Sequence, residues 1–111
     1  MAEIRFYQDV RGEGPQNYEG SIAADGELRL PPGCATHFPS TRATAYLRDE
    51  DELWLLPADA DDDEALVLRQ RTLAGERVVN IRSVWPDHPV GRVTATWSVA
   101  HRRLEIVEEY A

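Results

Sequence analysis

The sequence predicts an all-β fold, a small barrel or sandwich-like domain of antiparallel hairpins with at most one or two short helical turns. Three observations predict it. Apolar residues recur at every second position in several runs, the period of a half-buried strand. Those runs are short, and clusters of Gly, Pro, Asp and Asn separate them, residues that favour turns over element interiors. Two of the best runs come in pairs about a charged connection, the pattern of a hairpin.

In chain order, IRFYQDV (4–10) reads as a first strand and RGEGPQN (11–17) as a Gly/Pro-containing loop. YEGSIA (18–23) and ELRLP (27–31) form a hairpin about the Asp25-Gly26 turn signal. GCATHF (33–38) is expected to form one helical turn, confined by Pro31, Pro32 and Pro39. ATAYL (43–47) and ELWLLP (52–57) flank the connection RDED as a second hairpin. The segment EALVLRQRTL (64–73) has residues that favour helix, yet LVLRQR followed by Leu73-Ala74-Gly75-Glu76 reads as a strand paired with 77–85. VVNIRSVW (78–85) is a further strand, ended by the loop PDHPVG. Finally Val93, Ala95, Trp97 and Val99 alternate with Arg92, Thr94, Thr96 and Ser98, and beyond the turn AHRR come Leu104 and Ile106, alternating with Arg103 and Glu105. This last hairpin has one wet face. Tyr46 to Leu53 and Trp97 to Leu104 share a separation of seven residues, a weak internal repeat. The chain divides into a β half (1–58), an acidic linker (59–64) and a second β half (65–111), expected to form one compact domain.

Composition narrows the function classes. All 12 basic residues are arginine. With no lysine, Schiff-base catalysis and a P-loop are excluded, whereas arginine favours carboxylate or phosphate partners. The net charge of −8 is local. Residues 1–48 carry five Arg against six acids, 65–111 seven Arg against five acids, and 49–64 nine acids and no base. Cys34 is the single cysteine, so neither an internal disulfide nor a thiolate zinc cage can form within one chain. No apolar run approaches the roughly 20 residues of a membrane helix, and MAEIRFYQDV lacks the pattern of a signal peptide. A cytoplasmic protein without membrane contact is expected.

The chemical motifs are weak. Asp59, Asp61 and Asp63 have the spacing that opens a calcium loop, but Glu64 and Gln70 stand where that loop needs glycine and a bidentate glutamate. The acidic run therefore reads as a solvated linker, extended by its own repulsion. A strand over 52–57 at about 3.4 Å per residue separates it from RDEDE by roughly 20 Å, so the two clusters lie at opposite ends of one hairpin. Each suits a basic partner surface. His37, His88 and His101 read as exposed loop residues, and Cys34-x-x-His37 lacks a second ligand pair. No nucleophile elbow or H-E-x-x-H is present. No cofactor or metal is expected. Trp54, Trp85 and Trp97 read as core, with one of them an interface anchor. Trp54 lies among Leu53, Leu55 and Leu56, so its strand is apolar on both faces, as in a central strand, a swapped partner or a docking surface.

YEGSIAADGELRLP followed by ATAYLRDEDELWLLP, over residues 18–58, resembles the swapped-hairpin domains of the AbrB/MazE/SpoVT class. The resemblance implies a dimer of interlocking hairpins with arginines reaching DNA, here Arg5, Arg11, Arg29 and Arg42, which would contact phosphates. Glu27 occupies the place where that family usually carries a base, and PGCATHFPST contains no Arg.

The expected function is thus non-enzymatic: a protein-interaction module, a small accessory or assembly subunit of a larger complex, with a homodimer permitted. Its expected contact residues are Asp49, Glu50, Asp51, Trp54, Asp61, Asp62 and Asp63, facing a basic surface on another protein or subunit. The alternative is a dimeric DNA-binding regulator or antitoxin of the swapped-hairpin type.

Overall fold

The computed structural model of the chain describes residues 16–109. The expected strand over 4–10, with Arg5 and Arg11, lies outside the described residues. The elements are β1 (Gln16–Ile22), β2 (Glu27–Leu30), a 3-10 helix (Pro32–His37), β3 (Arg42–Arg48), β4 (Glu52–Pro57), β5 (Leu66–Val67), β6 (Arg69–Gln70), β7 (Arg77–Asn80), β8 (Gly91–Ser98) and β9 (Arg103–Glu108). All strand pairs are antiparallel, and the sheet order is β5-β3-β4-β9-β8-β1-β2-β7-β6. Among the described residues no helix reaches seven residues, and the sheet curls into a nearly closed barrel. The protein is all-β with a small barrel.

The barrel forms because alternation places one apolar set inside. Leu53 and Leu55 of β4, Leu104 and Ile106 of β9, Val93 and Ala95 of β8 and Leu28 of β2 are all completely buried. A barrel of this size has no lumen, and side chains fill its interior. The two sheet edges, β5 and β6, are consecutive in the chain. Leu68, buried between them, donates its N–H to Thr41 O at 2.7 Å. The strand expected over 64–73 is therefore two two-residue pieces. The first pairs with Arg42 and Ala43, the second with Arg77 and Val78, and together they close the barrel at one end.

Turn chemistry explains the hairpins. In the β1–β2 turn Gly26 has φ +94°, and Asp25 Oδ1 accepts the N–H of Glu27 at 3.0 Å. A Cβ on Gly26 would stand 2.7 Å from Arg82 Cβ. Gly26→Ala is therefore expected to cost about 1–3 kcal/mol through strain and this clash; an unchanged urea midpoint would refute this account of the turn.

Three expectations need correction. Gln16 and Asn17 are not loop residues but open β1, paired with Trp97 and Thr96. The strand expected to reach Trp85 ends at Asn80, because Asn80 Oδ1 accepts the N–H of Arg82 at 3.0 Å, and Trp85 N–H then bonds Ile81 O at 2.8 Å in a helical turn. Local side-chain hydrogen bonding outcompetes the sheet here. The acidic segment 59–64 does not extend. It folds into two turns, Asp62 N–H to Asp59 O and Ala65 N–H to Asp62 O, with Ser40 Oγ bonding Ala58 O at 2.7 Å and Arg42 Nη1 bonding Ala65 O at 3.2 Å.

Candidate functional site

Three segments meet at the end of the barrel that carries the β3–β4 turn: that turn, the 81–90 connection and the end of β9. Asp49 and Glu50 turn the chain with φ of 53° and 65°. Glu50 O accepts the indole N–H of Trp85 at 3.2 Å, which ties the hairpin tip to the connection. Two adjoining grooves result. One, of about 220 Å³, is lined by Leu47, Glu50, Trp85, Pro86 and Asp87. The other, of about 200 Å³, is lined by Glu50, Asp51, Trp85, Asp87, Pro89 and Glu108. Together they make a cleft with a buried indole as its floor and exposed carboxylates on its rim.

Glu50, Asp51, Asp87 and Glu108 make no ion pair with any arginine among the described residues. Asp49 and Glu52, by contrast, engage Arg48 at 3.6 Å each. The rim therefore carries a negative field over an apolar floor, which suits a cation with an apolar stem. Among the described residues no three His, Cys, Asp or Glu are placed to hold a metal ion. No helix among them is long and apolar enough to cross a membrane.

Trp54 stands elsewhere, on the outer wall. It stacks on Tyr46 with centroids 5.3 Å apart, and the Arg103 guanidinium lies 3.4 Å above its ring. Arg103 is oriented by Glu105 Oε2 at 2.7 Å, and Trp54 Nε1 donates to Glu52 Oε2 at 2.9 Å. The doubly apolar strand is thus central, between β3 and β9, with its outer indole covered by the chain's own arginine. Asp61, Asp62 and Asp63 lie at the opposite end of the barrel from Glu50, since β4 runs between the two. The residues expected to make contacts therefore fall in three places, and only Asp49, Glu50 and Asp51 border the cleft. Arg29 pairs with Glu27 at 3.2 Å, and Arg42 is engaged by Ala65 O, so neither guanidinium stands free.

The sequence does not single out Trp85 for the cleft, nor Asp87 and Glu108. Their charge was visible, but their convergence depends on the turn after Asn80.

The histidines divide. His101 is exposed on the β8–β9 turn. His88 is half-buried, its Nδ1 2.8 Å from Pro89 O. His37 is not an exposed loop residue: it stacks on Trp97 with centroids 4.4 Å apart, its Nε2 2.7 Å from the Tyr18 hydroxyl. The 3-10 helix brings it there, because Cys34 is buried beneath and Gly33 packs on the Tyr18 ring. Burial lowers the His37 pKa and raises that of Tyr18, the latter helped by Cys34. Burial also pushes the Cys34 thiol up to about 12, so it stays protonated and unreactive at neutral pH.

With its folded pKa below 6.5, His37 takes up its proton more readily in the unfolded chain. Its contribution is whole above pH 6.5 and falls away as pH drops from there through the folded pKa. The melting temperature is expected to fall from pH 7 toward pH 5, and His37→Gln to flatten that slope; identical slopes would refute the assignment.

No family model, curated protein or solved structure matches the chain. The fold and cleft define a class only: a small antiparallel β-barrel with an acid-rimmed, indole-floored cleft at one end.

Proposed function

We propose that the protein is a non-enzymatic interaction module that captures a basic segment of a partner protein in the cleft around Trp85. The carrying observation is the set of four exposed carboxylates, Glu50, Asp51, Asp87 and Glu108, about one apolar floor and without a described arginine to neutralise them. An arginine or lysine of the partner would lay its stem on Pro86, Pro89 and the indole edge and its charge among the rim carboxylates. The likeness to an accessory or assembly subunit rests on this recognition of another chain. The Trp54 wall contributes rigidity to the β3–β4 hairpin that presents Glu50.

The test is binding of a blocked peptide, Arg-Arg-Thr-Val-Thr-Val-Thr-Arg-Arg, against a control in which glutamates replace the arginines. The arginine peptide is expected to bind and the glutamate peptide to fail. Equal binding of both, or of neither, would refute the reading.

A further inference from the structure

The barrel is closed at one end and split at the other. Of the seven residues of β3, only Arg42 and Ala43 pair with β5, whereas Ala43 to Arg48 all pair with β4. Backbone parity shows which groups line the split. Arg42 O accepts Ala58 N–H on the β4 side, and Thr41 O accepts Leu68 N–H on the opposite side. Even-numbered residues of β3 therefore face β4, and odd-numbered ones face away. Beyond Ala43, the N–H and C=O groups of Ala45 and Leu47 point from the open edge of β3, with no strand partner among the described residues. Across the split, β7 pairs with β6 only through Arg77 and Val78.

The core reaches the surface along this line. Ala45, Leu47 and Val84 belong to the partly buried rim of the hydrophobic core, unlike the fully buried Leu53 and Leu55 one strand away. The split then runs into the cleft, since Leu47 lines the groove with Glu50, Trp85, Pro86 and Asp87. An open edge with backbone donors and acceptors, an apolar trough beside it and a charged mouth together make the site at which an extended segment joins a sheet.

We infer that the basic partner segment binds as an added strand on the open edge of β3. Its backbone bonds the N–H and C=O groups of Ala45 and Leu47, alternate apolar side chains pack over Leu47 and Val84, and a basic residue at its end meets Glu50 and Asp87. This deepens the reading of the cleft and rests on it. The occupant is committed by charge: an acidic or neutral strand would satisfy the edge but leave the carboxylate mouth without a counter-charge. Proteins with basic, extended, apolar-alternating segments are the partner class this selects.

The test uses the full chain with the arginine-ended peptide above, which carries arginine at both ends so that either strand direction places one at the mouth. A second peptide has the same sequence with the backbone nitrogens of its five central residues all methylated, so that it keeps its charge but has no N–H for a ladder on either edge, whichever way it runs. Amide hydrogen exchange of Ala45 and Leu47 is read in each case. The expected result is at least tenfold slower exchange at both amides with the first peptide and none with the second, together with at least tenfold weaker binding of the second. If both peptides bind equally and the two amides do not change, the added strand is refuted while the acidic cleft stands. If neither peptide binds, both readings fall. If the two amides of the free protein are already as protected as those of β4, the edge has an occupant in the free chain, and the inference is overturned.

Discussion

Trp85→Ala is expected to lower the unfolding free energy by about 3–5 kcal/mol, the range for truncating a large buried aromatic. The indole is 3% exposed, sits under the split in the barrel and donates to Glu50 O. Its removal opens a cavity where the sheet has fewest ladder bonds, and it also releases the β3–β4 tip. Trp85→Phe keeps most of the packing and loses the hydrogen bond, so it should cost about 1–2 kcal/mol. Urea unfolding of the three proteins separates the two contributions. A loss below about 1 kcal/mol for the alanine variant would mean that the indole is not what holds this end of the barrel together.

The second large effect is electrostatic. Neutralising the rim in the combined variant Glu50→Gln, Asp51→Asn, Asp87→Asn and Glu108→Gln removes four exposed charges while leaving the indole in place. Exposed pairs contribute about 0.2–1 kcal/mol each, so affinity for the arginine-ended peptide should fall by roughly fourfold to nearly a thousandfold. Its salt dependence should flatten with it. Neutralising Asp61, Asp62 and Asp63 instead should change affinity less than twofold, because those residues occupy the far end of the barrel. Comparable losses in both variants would indicate a general attraction of the acidic protein for a basic peptide, not recognition by the cleft. Neither set of changes should alter the melting temperature by more than a few degrees, since none of these side chains is buried in the core.

The barrel was legible where sequence signals are local. Val93 to Trp97 and Leu104 to Ile106 alternate cleanly, and their register, Leu104 opposite Trp97 and Ile106 opposite Ala95, keeps both sets inside. Asp25-Gly26 announced its turn for a stereochemical reason, the positive φ that glycine adopts without strain. Closure was not legible. It depends on Leu68, whose neighbours on either side join opposite edges of the sheet, and no periodicity encodes a change of partner within five residues. The end of the strand at Asn80 was likewise hidden, because VVNIRSVW alternates well enough to continue and only the Asn80 side chain, bonded to Asp25 O and Arg82 N–H, diverts it.

The same divide governs the site. Glu50 and Asp51 stood out in the sequence as members of an acidic run. Asp87 and Glu108 are 21 residues apart in the chain, and they approach Glu50 only because the chain turns after Asn80 and carries Trp85 beneath the hairpin tip. The burial of His37 is hidden from the sequence for a related reason. A histidine between prolines looks like a loop residue, yet the 3-10 helix buries Cys34 and swings the imidazole onto Trp97. Trp54 shows the opposite case: its apolar strand was evident, but the arginine that covers it comes from β9, 49 residues later.

The central claim, that a basic segment is held at the Trp85 cleft, is tested most directly by titrating the arginine-ended peptide into isotopically labelled protein and following the indole N–H resonances of the three tryptophans. The account predicts a saturable shift of the Trp85 indole, with backbone shifts at Leu47, Glu50 and Asp87 and with the Trp97 indole unmoved. A saturable shift confined to Trp54 and the Asp61–Asp63 loop, or no shift at Trp85 at all, would contradict it.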